Sequence, residues 1–251
     1  IPYVGMTTYA IGGLTFQVWG TVVALGYLAG TAIAYQRAKK KGLDPKLVLD
    51  LAFWIFIAAF VGSRLYHVLV YEPSYYVAHP LEILDLRRSG YAIFGGFIGA
   101  LVATIILLRH KAVSFLAYAD VLIWGLPWGC GIGRLGCFFI HDHPGTLSNS
   151  LLAVKYPDGQ SRHDLGLYLS LIGLVTGLLF LWLNRRPRGP GFWLALYICI
   201  EALSRFFLDF LRIDDVRYGG LTPTQWLSIP LLGVGLWLFH RAVQHRQLHS
   251  S

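Results

Sequence analysis

Residues 165–183 read LGLYLSLIGLVTGLLFLWL, a run that contains no charged residue. A helix needs about 20 predominantly apolar residues to cross the hydrocarbon core of a bilayer, so this run predicts a membrane span. Six other runs share this character, at about 15–35, 47–70, 91–109, 119–140, 190–211 and 225–242. The sequence therefore predicts an all-α polytopic membrane protein, in which residues 1–251 form a single domain of seven transmembrane helices preceded by a short apolar arm.

The overall composition agrees with a membrane protein and argues against a nucleic-acid partner. The chain is 55% hydrophobic and 14% charged, whereas soluble domains carry roughly 25% charged residues. Its net charge of +8 does not form one basic patch, because the lysines and arginines lie in short loops between apolar runs. The three cysteines lie inside apolar runs and form no CxxC pair, so we expect neither a disulfide framework nor a zinc knuckle.

The distribution of basic residues predicts the orientation of the chain. Twelve lysines and arginines lie in loops on one side of the predicted spans, and six lie on the other side. Because basic loops face the cytosol, we expect the N-terminus outside and the C-terminus inside. The outer loops, at about 71–90 and 141–164, are long enough to carry function.

Three arginines lie within or at the ends of predicted spans: Arg64, Arg134 and Arg205. A charge at the centre of a bilayer costs at least ~2.5–3.5 kcal/mol, so each one is a candidate functional residue. Arginines that converge from different helices would bind an anion. The alternative for each is that it reaches a lipid headgroup or pairs with a neighbouring acid.

The sixth predicted span places Tyr197, Glu201, Arg205 and Asp209 at four-residue steps. One interpretation is a ladder of i,i+4 pairs that neutralise one another. Charged groups remain costly in a membrane helix even when they are paired, which favours a functional site on this face.

The fourth predicted span carries the densest pattern. Gly125, Gly129 and Gly133 recur every four residues, a spacing that lets another helix pack backbone to backbone. Cys137 shares a helical face with Arg134, although a cysteine at this position could also be a small core residue.

The tripeptide His141-Asp142-His143 follows directly outside this span. Histidines that flank an acid can bind a metal ion or relay protons. A metal site requires a third or fourth ligand that the sequence does not identify, so we predict no metal site and no cofactor.

Residues 133–145, GRLGCFFIHDHPG, resemble the signature G-R-x-G-N-F-x-N-x-E-x-x-G of the prolipoprotein diacylglyceryl transferases without a gap. Other segments resemble further motifs of that family in the same order along the chain, at 62–66, 89–99, 162–168, 205–215 and 221–228. The resemblance therefore covers nearly the whole chain, and the ordered series is more specific than any single motif.

This resemblance implies an enzyme that transfers a diacylglyceryl group from phosphatidylglycerol, or a similar anionic phospholipid, to the lipobox cysteine thiol of a preprolipoprotein. It implies lipoprotein biosynthesis by a multi-pass protein of the bacterial cytoplasmic (inner) membrane. Arg134 and Arg205 would stabilise the phosphate charge, because preplaced guanidinium groups suit an anion that accepts two hydrogen bonds. The other residues expected to bind substrate are Arg64, Gly95, Gly96, Gly133, Cys137, Glu201 and Asp209.

The departures from the family motifs concern the group that removes the thiol proton. Phe94 stands where the family has a histidine, and Cys137 and Asp142 replace a signature asparagine and glutamate. We expect His163 to act as the catalytic base, with Asp164 beside it influencing its charge.

The replaced histidine leaves other functions open. The protein could use the same lipid donor with a different acceptor, or it could be a non-catalytic lipid-binding membrane protein on the same scaffold. Retention of the arginines disfavours the second alternative, because an unused charge in a bilayer is costly. If transfer to a thiol is retained, His141 and Asp142 are further candidates for proton removal.

Overall fold

The computed structural model describes residues 1–85, 90–186, 188–213, 215 and 217–248, with only the backbone described for Ile93 and residues 245–248. The helices of the described chain are α1 Val18–Lys40, α2 Pro45–Tyr66, α3 Pro73–Ala78, α4 Ile93–His110, α5 Phe115–Ile140, α6 Leu165–Leu183, α7 Phe192–Leu208 and α8 Pro223–Leu248. Its strands are β1 Thr8–Ile11, β2 Leu14–Gln17, β3 Pro144–Leu147, β4 Val154–Lys155 and β5 Ser161–Asp164.

Each predicted span overlaps one of the longer helices, that is α1, α2 and α4 to α8. Within the described residues, five helical stretches are long and apolar enough to cross a membrane: Val18–Lys40, Pro45–Tyr71, Phe115–Ile140, Leu165–Leu183 and Pro223–Gln244. The apolar stretch Phe94–His110 of α4 is shorter, as is α7 with 17 residues. The chain is therefore a mainly helical protein with several helices suited to a bilayer.

The mainly helical structure agrees with the all-α prediction, and two small antiparallel sheets add to it. β1 and β2 form a hairpin where the sequence predicts an apolar arm. Gly12 and Gly13 turn the chain with φ angles of 58° and 83°, as a two-residue hairpin turn requires. The second sheet has the strand order β3-β5-β4. These strands of two to four residues are too short for an alternating pattern to be recognised in the sequence.

The chain divides into two compact units. The first comprises Ile1–Arg37 and Ala119–Ser251, and the second comprises Ala38–Tyr118. The first unit thus contains most of α1, most of α5 and all of α6, α7 and α8, together with both sheets. The second unit contains α2, α3 and α4.

Small residues determine how α1 packs on α5 within the first unit. A Cβ atom added to Gly125 would collide with the carbonyl of Gly30, and one added to Gly26 would collide with the carbonyl of Gly129. The two backbones therefore touch, as the four-residue glycine spacing predicts. On another side of α5, the Ser170 hydroxyl of α6 donates to a backbone carbonyl of α5, at a distance of 2.7 Å.

A mainly aromatic cluster joins the first half of α5 to α6, α7 and α8. Its buried members are Trp124, Phe180, Phe192, Trp193 and Ala242. The Asp120 carboxylate accepts hydrogen bonds from the backbone N–H groups of Gly191 and Leu194, at 2.7 Å and 2.9 Å. This carboxylate therefore fixes the start of α7 against α5.

The sheet of β3, β5 and β4 positions the segment after α5. Pro144 of β3 pairs with Asp164 of β5, and Val154 of β4 pairs with Arg162. β5 leads directly into α6, and Asp164 caps that helix by accepting a hydrogen bond from the Leu167 N–H at 3.0 Å. The end of α5 and the start of α6 are therefore held side by side.

Candidate functional site

Arg134 and Arg205 belong to two helices, α5 and α7, that touch at Cys130. The Cys130 sulfur of α5 accepts a hydrogen bond from the Tyr197 hydroxyl of α7 at 3.9 Å. Arg134 follows Cys130 by one turn of α5, and Arg205 follows Tyr197 by two turns of α7. Two cations thus lie one and two turns beyond a contact between their helices.

Arg205 is paired within its own helix. Its Nε donates to Glu201 Oε1 at 2.8 Å, and the two side chains are 26% and 35% exposed. This is one of the i,i+4 pairs considered from the sequence. A guanidinium group has five N–H donors, so one carboxylate contact through Nε does not saturate it.

Asp209 does not continue this ladder. Its buried carboxylate accepts a hydrogen bond from the Thr222 hydroxyl at 2.6 Å. The Thr222 N–H donates to Gln225 Oε1 at 2.9 Å, and Gln225 Nε2 donates to the Phe206 carbonyl at 2.9 Å. This network fixes the start of α8 against α7. Asp209 therefore holds this network together, and its expected role in substrate binding stays a prediction.

Arg134 contacts a second cysteine one turn further along α5. Its Nη1 lies 3.6 Å from Cys137 Sγ, and Cys137 is buried. A Cβ atom added to Gly133 would meet only Val23, at 3.8 Å and beyond. Packing alone therefore does not require glycine at position 133, in contrast to Gly125.

His141 and Asp164 form a buried pair between the end of α5 and the start of α6. His141 Nδ1 lies 2.6 Å from Asp164 Oδ2, and the two side chains are 0% and 1% exposed. The Tyr156 hydroxyl donates to the same oxygen at 3.0 Å. Burial, and then the charge of Asp164, raises the pKa of Tyr156 above its ordinary value. The Asp164 carboxylate thus binds both the His141 ring and the Tyr156 hydroxyl.

Aromatic rings enclose the His141 imidazole. Tyr3 stacks on it with ring centroids 4.2 Å apart, and Phe138 approaches it edge-on at 5.1 Å. Among the residues that the structure describes, His141 Nε2 has no hydrogen-bond partner. The backbone of His141 has a φ of 51°, which is uncommon for a residue other than glycine. In this conformation the ring is not accessible to a substrate.

His163 is more accessible than His141. Its ring is partly buried, and its Nδ1 lies 2.5 Å from the Tyr168 hydroxyl oxygen. Asp164 was expected to act on His163, but its carboxylate is bound to His141 instead. The reason is that successive side chains of a strand such as β5 point to opposite faces.

Gly145 allows the strand beside His163 to approach closely. A Cβ atom added to Gly145 would lie 3.1 Å from His163 Cβ and 2.9 Å from the Leu211 carbonyl oxygen. A larger residue at position 145 would therefore displace His163 or the turn after α7. The glycine of the signature has a positioning effect on the histidine of a separate motif.

Arg64 of the second unit is buried and surrounded by carbonyl groups. Its Nε donates to Ile83, its Nη2 to Glu82 and Asp85, and its Nη1 to Gly90, at distances of 2.8–3.2 Å. Through these contacts the Arg64 guanidinium fixes the chain that leads into α4. Arg64 is expected from the sequence to bind an anionic substrate; the structure gives it these backbone partners, and its role in binding stays a prediction.

Gly95 and Gly96, also expected to bind substrate, lie in α4 of the second unit beside Phe94. A Cβ atom on Gly95 would collide with the Gly62 carbonyl of α2, and one on Gly96 would lie 2.9 Å from Ser63 Oγ. Gly95 is therefore required for the close packing of α2 on α4, whereas a Cβ atom at position 96 would mainly require the Ser63 hydroxyl to shift.

Asp142 lies between α5 and β3, where its carboxylate is near Cys137 and His143. Sequence reasoning missed Asp164 and Tyr156 as partners of His141, because more than ten residues separate them and no periodicity links them. It also missed the contact of Tyr168 with His163. That contact could have been found, because both residues belong to the 162–168 motif.

Comparisons with known proteins identify relatives over nearly the full chain. A family model described as prolipoprotein diacylglyceryl transferase matches residues 7–241. A phosphatidylglycerol–prolipoprotein diacylglyceryl transferase of Bordetella avium is 34% identical over 240 residues, which cover 91% of each chain. The protein of the same name from Bordetella parapertussis is 32% identical over 255 residues, covering 95% of this chain and 96% of the relative. That from Finegoldia magna is 31% identical over 231 residues, covering 92% of each chain.

Proposed function

The chain belongs to the prolipoprotein diacylglyceryl transferase family, and on this premise we propose that it transfers a diacylglyceryl group from phosphatidylglycerol to the lipobox cysteine thiol of a prolipoprotein. The observation that carries the proposal is that Arg134 of α5 and Arg205 of α7 follow, by one and two helical turns, the contact between Cys130 and Tyr197 that joins these helices. Two guanidinium groups on contacting helices suit the single anionic group of this lipid, its phosphodiester.

The proposed reaction replaces a carbon–oxygen bond with a carbon–sulfur bond. The acceptor thiolate attacks the glyceryl carbon that bears the phosphate, a thioether forms, and glycerol phosphate leaves with the bonding electron pair. Negative charge on the departing phosphate grows during this step, and preplaced Arg134 and Arg205 stabilise it. Glu201 keeps the Arg205 side chain in position through its Nε contact.

The thiol must lose its proton before or during the attack, because the thiolate is the nucleophile. We propose His163 as the base, since its ring is partly exposed whereas that of His141 is enclosed. When Nδ1 carries the ring proton and donates to the Tyr168 oxygen, Nε2 presents a lone pair that can accept the thiol proton. Tyr168 is then a positioning residue for His163. Asp142 remains a second candidate for the same role.

We propose that all seven long helices span the cytoplasmic membrane of a bacterium, with the N-terminus outside and the C-terminus in the cytosol. α7 has 17 residues and is about 26 Å long at 1.5 Å per residue. The helical turn Asp209–Leu211 extends it towards the ~30 Å of a hydrocarbon core. This orientation places β3, β4, β5 and His163 on the outer side, where a secreted precursor is presented.

Reporter fusions test this orientation. A reporter that is active only in the cytosol should work when fused after residue 248 or inserted between α6 and α7. The same reporter inserted at 148–152, between β3 and β4, should be inactive, and this insertion is the matched control. Activity of a periplasmic reporter at the C-terminus would overturn the proposed topology.

Phe94 supports a second candidate, in which the lipid donor is the same but the acceptor is not a lipobox thiol. The family histidine is absent at this position, and an apolar ring cannot accept a proton. Such a protein would still release glycerol phosphate from phosphatidylglycerol, because the arginines that act on the phosphate are retained.

A transfer assay separates these candidates. The purified full chain in lipid nanodiscs would receive labelled phosphatidylglycerol and a lipobox peptide, with a Cys→Ser peptide as the matched control. The proposed function predicts a thioether-linked diacylglyceryl peptide, seen by mass spectrometry, only with the cysteine peptide. Release of glycerol phosphate without peptide product would support a different acceptor. Absence of both products would contradict an enzymatic function.

A further inference from the structure

Cys137, Asp142 and His143 form a cluster of possible metal ligands at the end of α5. The Cys137 sulfur, a carboxylate oxygen of Asp142 and a ring nitrogen of His143 all lie within 4.8 Å of one another. Cys137 belongs to the last turn of α5, and the other two residues follow the helix. Between them, His141 adopts a left-handed φ of 51°, the conformation that commonly ends a helix and turns the chain. The sequence left the third ligand unidentified, and the fold supplies it as Cys137.

We propose that Cys137, Asp142 and His143 bind a divalent cation of the zinc class, with a fourth coordination position open. Thiolate, imidazole and carboxylate are the ligands that proteins use for Zn²⁺, and three protein ligands with one open position are typical of catalytic rather than structural zinc sites. Mg²⁺ and Ca²⁺ prefer all-oxygen ligands, so they do not suit a site that contains Cys137 and His143.

The side chains can reach coordination geometry without movement of the helix. Ligand atoms around a tetrahedral Zn²⁺ are about 3.5 Å apart, given metal–ligand bonds of about 2.0–2.3 Å. Asp142 and His143 are 34% and 30% exposed, so they can rotate towards the buried Cys137. His143 Nδ1 lies 2.8 Å from the Asp142 carbonyl oxygen and 3.8 Å from the Asp142 carboxylate oxygen Oδ1, so the imidazole is already held beside the carboxylate.

The charges of the site balance. Arg134 Nη1 lies 3.6 Å from Cys137 Sγ, so a cation there would face a positive neighbour. A cysteine thiolate and an aspartate carboxylate carry two negative charges, which offset those of a divalent ion. With the cation bound, the site therefore has no net charge that would repel Arg134. The Arg134 guanidinium can then still bind the lipid phosphate.

A role of this site in catalysis rests on the proposed function. The open position would take the acceptor thiol, and a thiol that coordinates zinc is deprotonated outright. Its proton would pass to His163. The bound sulfur would then form the bond to the glyceryl carbon, while the carbon–oxygen bond breaks and glycerol phosphate leaves. This role compensates for the histidine that Phe94 replaces.

Metal binding can be measured on the full chain without turnover. The protein would be purified without a polyhistidine tag, stripped with a chelator and titrated with Zn²⁺, Co²⁺ and Mg²⁺ separately. We expect one equivalent of Zn²⁺ by elemental mass spectrometry, a sulfur-to-cobalt charge-transfer absorption with Co²⁺, and no stoichiometric Mg²⁺. A stripped wild-type chain that takes up no Zn²⁺ would overturn the proposal.

Substitutions locate the ligands. Cys137→Ser should abolish the sulfur-to-cobalt absorption, and Cys137→Ser and His143→Gln should each weaken Zn²⁺ binding by more than the about 10–100-fold that loss of an outer-shell partner costs. Cys199→Ser and His240→Gln are matched controls, because Cys199 lies in α7 and His240 near the end of α8. Wild-type affinity in the Cys137→Ser protein would contradict the assignment.

Failure of this site and failure of the proposed function give different results. If the protein binds Zn²⁺ but forms no thioether, the metal site is supported and the proposed transferase function is contradicted. A stripped chain that forms thioether at the full rate contradicts the catalytic role of the metal and supports the transferase.

Discussion

Replacing Arg134 or Arg205 by alanine is expected to lower kcat for diacylglyceryl transfer by about 10²–10³, the usual cost of removing one preorganised donor from a developing anion. Both side chains come from helices that the hydrophobic packing of the first unit holds in place, so their charge is present before the lipid arrives. The measurement is turnover of labelled phosphatidylglycerol with a lipobox peptide, at saturating concentrations of both substrates.

A lysine at either position tests whether geometry matters in addition to charge. Lysine keeps the positive charge but lacks the planar fork that binds two phosphate oxygens at once. We therefore expect Arg134→Lys and Arg205→Lys to lie between wild type and the alanine variants. Arg241→Ala is a control of the same chemical type, because Arg241 of α8 stacks on Trp237, with the guanidinium carbon 4.3 Å from the ring centroid.

The double variant tests whether the two arginines act on one phosphate. Residues that act as a unit give strongly non-additive effects on turnover. The combined loss in Arg134→Ala/Arg205→Ala should therefore be smaller than the product of the separate losses. Strictly multiplicative losses would indicate independent sites, and wild-type turnover in either single alanine variant would remove that residue from the mechanism.

Replacing His163 by alanine is expected to slow transfer by about 10²–10⁴-fold, the contribution of a positioned general base. Melting of the protein in detergent should change little, because the His163 ring is only partly buried and bonds one hydroxyl. His141→Ala should instead lower the melting temperature and change the transfer rate little. It leaves the buried Asp164 carboxylate without its closest hydrogen-bond partner, and removing a partner from a buried polar group costs about 1–3 kcal/mol of stability.

Two further variants complete this prediction. Tyr168→Phe removes the hydroxyl that orients His163 and should lower kcat less than His163→Ala does. Phe94→His restores the histidine of the family motif. If lipobox transfer appears only in Phe94→His, the natural protein uses another acceptor or none. Full activity of His163→Ala would discard His163 as the base and leave Asp142 as the remaining accessible candidate.

The sequence predicted the packing face of α5 but not its partner. Three glycines at four-residue steps define one side of a helix because the α-helical period is 3.6 residues. The helix that packs on this side is α1, through Gly26 and Gly30. These two glycines alone did not single out α1 in the sequence. The spacing of small residues therefore identifies the packing face of one helix but not the helix that packs against it.

The sequence also located the loop that carries His141 and His163 without identifying their contacts. His163 was assigned the neighbouring carboxylate of Asp164, as proximity along the chain suggests. The side chains of His163 and Asp164 point to opposite faces of β5, and Asp164 binds His141 at the end of α5. Predicting this contact would have required the register of β3 on β5, which four-residue strands do not encode in their hydrophobic pattern.

The buried pair of His141 and Asp164 is also unequal in how far each member depends on the other. Without Asp164, the enclosed His141 imidazole would lose the partner of its Nδ1, and its Nε2 has no partner among the described residues. Without His141, the Asp164 carboxylate would still accept hydrogen bonds from the Tyr156 hydroxyl and the Leu167 N–H. Asp164 therefore tolerates the loss of His141 better than His141 tolerates the loss of Asp164.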